Sequence, residues 1–583
     1  MRKPFPEPRR TPSTQRGAVG LFGALVFGLA LAFVVLAVDT GRLALEKRRL
    51  QVIADLAAID ALQAGLCGGT ESLDAAAVAA AAQASAVRNG YTGDLAAEAG
   101  AVRVGDVTTG LDGIRQFDAA APAVASAVQV TAVREVTRSL IAGGWYGGTV
   151  PLRTVAVAQR LPVAGFQLGS FLASLDTDDA TLLNGLLGGM LGSSVNLDVL
   201  SYEGLAAADL TLGQLISGAE LAGVGLAADG VEGLLDTDVT VADFLSIMAA
   251  ALDAEGDATA ALAVNELRAA AMAPETIRIG DLLVVSSENP NAALQSNVNA
   301  YAMGSAAIQL AREGQTLNVP VSAALPLGLG TVNVSLSVIE APQIAVGPPG
   351  RDADGNWRTV AHNSQLQLQI DVPVSVPLPL LGGTMSGQVS LVADAARADA
   401  WLASIQCAGS DRPTHTVDIG VQTGAATVGL GRFTDIADPD SGIDPMTALQ
   451  IALPLATATV EVGMRTEVSG GGAGQVSFDV TDATLPQEET LGMPLASALG
   501  NATDTLAGSL DVQADVELLG LPLPGAPTPE LVEDTTVTTL LQPLLTSLDE
   551  AVLEPVFRAL GLNLGGADIE LFDLDPDEPR LVR

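Results

Sequence analysis

Residues 17–38, GAVGLFGALVFGLALAFVVLAV, run for 22 positions without a charge or a strongly polar side chain. A helix of that length rises about 33 Å, enough to cross the hydrocarbon core of a bilayer. Inside lipid a lone segment satisfies its backbone only as a helix. The stretch therefore predicts one membrane-spanning helix. Asp39 and Arg42 follow at once within a continuing helical pattern, and no small-x-small site closes the stretch. An uncleaved anchor is expected rather than a signal peptide. No second uninterrupted apolar run of about 18 residues occurs, so a single span is expected. Within it Gly20, Ala24, Gly28 and Ala32 recur every four residues, a small-residue face that lets another helix approach closely.

Charge divides the chain at the same place. Residues 1–60 hold nine Lys or Arg against five Asp or Glu, while the whole chain carries a net charge of −39. Arg2, Lys3, Arg9, Arg10 and Arg16 precede the span, and Arg42, Lys47, Arg48 and Arg49 follow it. This slight excess favours a cytoplasmic tail over residues 1–16, which Pro4, Pro6, Pro8 and Pro12 keep from helix. The acidic remainder is unsuited to nucleic acid, which demands basic patches, and its charge keeps it off an anionic membrane face. Solubility is the plain reading of that charge.

Little in the chain points to chemistry. Two cysteines, Cys67 and Cys407, rule out a disulfide-rich scaffold and a cysteine-based metal cluster; a bridge between them and two separate thiols both stay open. His362 and His415 are the only histidines, and neither has a nearby Cys or second His. The runs Asp352-Ala353-Asp354-Gly355-Asn356 and Asp438-Pro439-Asp440-Ser441-Gly442-Ile443-Asp444 look like fragments of calcium loops. The first has Asn363 where a complete loop needs glutamate, so Asx and Gly turns are the expectation for both. A Gly-x-Ser-x-Gly elbow, a P-loop and an HExxH motif are all missing from the sequence, so no enzyme, cofactor or metal is expected.

After the span, DTGRLALEKRRLQVIADLAAIDALQAG stays helical in pattern to about Ala64. Leu43, Leu50, Ala57 and Ala64, with Ile53 and Leu56 nearby, make an apolar seam. A second Ala-rich helix is expected from Ser72 to Arg88. The stretch from Gln15 to Gly65 resembles the N-terminal segment of TadG-like Flp pilus assembly proteins. The resemblance rests on Gln15-Arg16-Gly17 before the span, Asp39-Thr40-Gly41-Arg42 after it, and Leu50-Gln51 leading to Asp55, Ala57 and Ala58. Residues 172–216, 338–350 and 559–574 look like an extended version of the family. Many of its members carry a von Willebrand A domain with an Asp-x-Ser-x-Ser run. Here the nearest run is Asp534-Thr535-Thr536-Val537-Thr538, so that metal site is not carried over. TadE-type pseudopilins keep glutamate five residues past a processing glycine; after Gly17 that place holds Phe22, and such processing is not expected.

Residues 39–160 read as a first α+β module, in which Val124, Val128 and Val130, then Val155 and Val157, alternate with other residues as in strands. A Leu/Ala-rich helical region is expected over 161–312 and a β-rich domain over 313–524. In the latter, residues 366–376 read as an edge strand because Pro373 and Pro377 cannot donate to a ladder. A linker and helical segment fill 525–583.

The fold class expected is α+β: one transmembrane helix continuing into an amphipathic helix, then a mixed helical and β-rich body. The resemblance implies a single-pass inner-membrane protein with a cytoplasmic N-terminus and a periplasmic body, assisting Tad/Flp pilus assembly beside other machinery proteins or further copies of itself. The competing reading is a membrane-anchored binding or adhesion module unrelated to pili.

Overall fold

The computed structural model describes residues 16–582 apart from 64–74, 110–114, 120–125, 142–147, 161, 170–176, 273, 286–293, 323–330, 353, 379–382, 408–413, 425, 445, 453–455, 463, 469–471, 482–483, 493–511, 519–520, 523–541, 563–565 and 577–579. The protein is α+β. Its chain forms two units: residues 1–66, 72–160 and 579–583, and residues 67–71 with 161–578.

The first unit is built on helix α1, Arg16–Gln63, 48 residues long. Its N-terminal part is bare. From Val19 to Val38 the apolar side chains are exposed, as a lipid-facing span requires. Its C-terminal part is half-covered, with Leu50, Ile53, Ala54, Ala57, Ala58 and Ala61 buried on one face. Leu56, expected on the seam, stands 37% exposed on the other side. The seam is narrower and more alanine-rich than the heptad reading suggested.

Helix α2 follows, Ala75–Arg88, burying Val78, Ala82 and Ala86. Four strands then form an antiparallel sheet: β1 (Val102–Thr109), β2 (Arg115–Asp118), β3 (Ala127–Thr137) and β4 (Thr149–Gln159), in the order β2-β1-β3-β4. The chain returns at its far end to add Arg580–Leu581 beside β4. Gly105 is required in β1, since a Cβ there would lie 2.1 Å from the Asp118 carbonyl oxygen. On β4 the alternation expected of Val155 and Val157 is present, and it is the alanines that face the core. Ala156 and Ala158 face inward, while Val155 is 44% exposed. The reason is α1 itself: it lies on β3 and β4 with an alanine face, and small side chains on both surfaces let the backbones approach.

The second unit opens with β5, Val163–Leu168, entirely buried. It lies in a five-stranded sheet between Ala567–Asp575 and Ile344–Gly347, with Gln487–Leu491 and Leu283–Val285 outside them. Residues 567–575 thus form a strand where a helical segment was expected; Ala567, Ile569 and Leu571 alternate along it and are buried.

Between Thr177 and Ala311 the chain is rich in helix but also carries short strands. Four times a three-residue strand feeds directly into a helix, at Asp209–Thr211, Asp238–Thr240, Thr276–Arg278 and Asn297–Asn299. The middle residues Leu210, Val239, Ile277 and Val298 are buried, as are the first helical residues Leu212, Val241, Ile279 and Ala300. Pairing joins the first strand to the fourth and the second to the third. Caps punctuate the joints. Thr211 and Gln214 form a reciprocal capping box, Thr240 accepts from the Asp243 amide at 3.1 Å, and Asn299 accepts from Tyr301 and Ala302. This block shares one core with a large antiparallel sheet that begins Thr316–Ser322, Thr331–Glu340, Gln365–Leu378 and Gly383–Ala395.

Strand Gln365–Leu378 is not an edge strand, because Thr331–Glu340 and Gly383–Ala395 flank it. Yet among the described residues the pairing with Thr331–Glu340 stops at Asp371, and Val372–Leu378 pairs on one side alone. Pro373 and Pro377 both fall in that one-sided stretch, where no ladder bond is lost on the open side. The expectation was right about the prolines and wrong about the strand.

Candidate assembly interface

Two seams of polar contact fasten α1 to its sheet. Nearest the span, Asp39 is buried; Ser139 Oγ donates to its Oδ2 and the Leu140 amide donates to its Oδ1 at 3.1 Å. These donors hold the Asp39 carboxyl below the ordinary carboxylate range. One helical turn further on, Arg42 donates through Nη2 to the Thr137 carbonyl. Glu46 then meets Arg134 at 3.6 Å. Helix numbers rise as β3 numbers fall, so β3 runs back toward the membrane end of α1. On the neighbouring strand, Gln51 donates through Nε2 to the Val155 carbonyl at 3.1 Å and to Asp55 Oδ1 at 2.7 Å. Leu50 lies fully buried beside it. On the sheet's other approach, Tyr91 Oη donates to the Val133 carbonyl at 2.9 Å.

The residues singled out by sequence therefore fall into distinct groups. Asp39, Arg42, Leu50, Gln51 and Asp55 converge on the joint between anchor and sheet. Gly41 does not: a Cβ there would meet nothing within 4 Å. Gly20, Ala24, Gly28 and Ala32 are exposed, and a Cβ at Gly20 or Gly28 would also meet nothing. Arg16 and Gly17 begin α1, whereas Gln15 and Cys67 lie outside the described residues, as does the Asp534–Thr538 run. Cys407 is disulfide-bonded. Sequence reasoning missed Ser139, Thr137 and Arg134. No local pattern marks them, since their partners are about a hundred residues away.

The calcium-loop fragments are turns. Asp352 Oδ1 accepts from the amides of Asp354 and Asn356, and Arg351 stacks over Trp357, which stacks on Trp401. In the second, Asp438 accepts from the Asp440 amide, inside a hairpin pairing Arg432–Phe433 with Ile443–Asp444. Among the described residues no group of three or more His, Cys, Asp or Glu is placed to hold a metal. His362 is mostly buried, with Nε2 3.7 Å from Glu340, which also pairs with Arg397. His415 begins the strand His415–Gln422 rather than sitting in a turn.

A helix long and apolar enough to cross a membrane, clasped just past its apolar stretch to a five-stranded sheet, defines the class: an α+β module built on a candidate membrane anchor. Residues 17–64 match the family model described as putative Flp pilus-assembly TadE/G-like, and residues 64–158 the model described as putative Tad-like Flp pilus-assembly. Over residues 17–158 the chain is similar to TadE/G-like Flp pilus-assembly proteins. Residues 179–316, which span the strand-to-helix repeats, match a domain of unknown function, DUF8293. No curated protein and no solved structure matches the chain.

Proposed function

We propose that this protein is a single-pass inner-membrane component of Tad/Flp pilus assembly, with residues 1–16 in the cytoplasm and the acidic body in the periplasm. Its role is structural: it binds other machinery proteins and performs no catalysis. The observation that carries the reading is the joint at Asp39 and Arg42, where two matched families meet in one folded piece. An anchor clasped to its sheet one residue past the span transmits position from the membrane to the body without a flexible linker. The disulfide at Cys407 supports an oxidising compartment for the body. Residues 39–160 serve as the membrane-proximal module, and 161–312 and 313–524 carry surfaces for periplasmic partners.

The test is an in-frame deletion, complemented by the intact gene and scored for surface fibres by electron microscopy. Loss of fibres with rescue is the expected outcome. Normal fibres would shift the assignment to an anchored binding or adhesion module.

A further inference from the structure

Just past β3, two large apolar side chains stand exposed among the described residues: Leu140 is 64% exposed and Ile141 55%. Their position is set by the Asp39 joint. The Leu140 amide donates to Asp39, the first residue past the apolar stretch, so the hairpin end lies at the level where α1 leaves the hydrocarbon. The order of contacts along α1, from Glu46–Arg134 through Arg42–Thr137 to Asp39–Ser139, points β3 at the membrane. A cation borders the same end: Arg138 is exposed beside Leu140. A watery position gives two adjacent apolar side chains no partner, whereas the headgroup boundary of a bilayer receives both them and a neighbouring cation.

We infer that the β3–β4 hairpin end is a second membrane contact, in which Leu140 and Ile141 dip into the headgroup region of the bilayer that α1 spans. The inference rests on the reading of residues 17–38 as a span. One helix alone leaves a module free to swivel about its axis. A second shallow contact offset from that axis fixes how the module faces its neighbours in the membrane plane.

The test places single labels in the full chain with its native disulfide oxidised. Ile141→Cys, Val26→Cys and Leu262→Cys variants each take an environment-sensitive thiol fluorophore. They are reconstituted into phosphatidylethanolamine–phosphatidylglycerol vesicles containing nitroxide lipid labelled near the headgroup or deep in the chain. Val26 is mid-span, and Leu262 is exposed on the body. The expected result is blue-shifted emission at 141, quenched by the shallow nitroxide and shielded from aqueous iodide, with deep quenching at 26. If 141 is quenched by iodide as strongly as 262 while 26 stays lipid-quenched, the second contact is overturned and the span survives. If 26 is itself open to iodide, both readings fall.

Discussion

Ser139 donates its hydroxyl to Asp39 across 100 residues of sequence, and both side chains are buried where the anchor helix meets the end of β3. The bond sits one residue beyond the apolar span. It adds a polar tie between the anchor helix and the sheet to the apolar core that the two already share. Asp39 serves this purpose well because its second oxygen takes the Leu140 amide, so each carboxylate oxygen accepts from the segment that follows β3.

Asp39→Ala and Ser139→Ala should loosen the hairpin end without affecting insertion of the span. Hydrogen exchange of the Leu140 amide in detergent-solubilised protein is expected to rise about tenfold or more in Asp39→Ala. Asp39 has its carboxyl depressed by Ser139 first and Leu140 second. The joint is therefore intact above the unfolded value, near 3.9, and is lost only as pH falls through the lower folded value. Unchanged exchange in Asp39→Ala would remove the clasp from the account.

Leu50 is fully buried between α1 and the sheet, whereas Leu56 on the same helix is 37% exposed. Leu50→Ala should lower stability of the module by about 2–5 kcal/mol. Leu56→Ala should change it by less than about 0.5 kcal/mol. Urea unfolding of the full chain in detergent, followed by limited proteolysis of residues 39–160, reads both. Equal effects would mean that α1 does not pack on β3 and β4 by this face.

Glu570 is buried in the five-stranded sheet, where Gln167 Nε2 donates to it at 2.6 Å. Burial foremost, with nearby Glu488 and Asp209 adding repulsion, pushes its carboxyl up to about 7 against the opposing pull of Gln167. Between the unfolded value, near 4.3, and 7, the folded state holds a proton that the unfolded state has released. Stability therefore falls as pH rises through that window and levels off above it. Glu570→Gln keeps an acceptor for Gln167 and removes the charge. It should raise stability at pH 8 by on the order of 1–3 kcal/mol and change little at pH 4. Thermal scans across pH check this; a parallel offset at every pH would contradict it.

Gly20, Ala24, Gly28 and Ala32 are exposed, and among the described residues a Cβ at Gly20 or Gly28 would meet nothing within 4 Å. Replacing Gly20, Ala24 and Gly28 with Leu should leave membrane insertion and the fold unchanged while abolishing crosslinking to a partner helix. Crosslinking that persists in the triple variant would sink the packing face.

How much of this was legible in advance depends on how local the physics is. The span was plain because hydrophobicity adds residue by residue over a single helix. The burial of Leu50 and Ile53 followed from periodicity, and the Asp352 turn from side-chain chemistry within five positions. Which face of β4 turns inward was not legible. Valine is the stronger strand former, yet it is alanine that faces α1, and that choice belongs to the helix lying on the strand. The strand-to-helix repeats were overlooked because three-residue strands barely register as an alternation; only Leu210, Val239, Ile277 and Val298, seen buried in matched places, expose the pattern.

The sequence by itself determined that this chain has one anchor, where that anchor ends, and that an acidic α+β body follows. Each of these is a sum over neighbouring residues. The tertiary structure alone decided that Asp39 and Arg42 clasp the end of β3, that Pro373 and Pro377 sit where, among the described residues, their strand pairs on one side only, and that the last strand returns to the first sheet. Those facts depend on pairings between residues far apart in the chain, whose energy exists only once the chain has closed the loop between them.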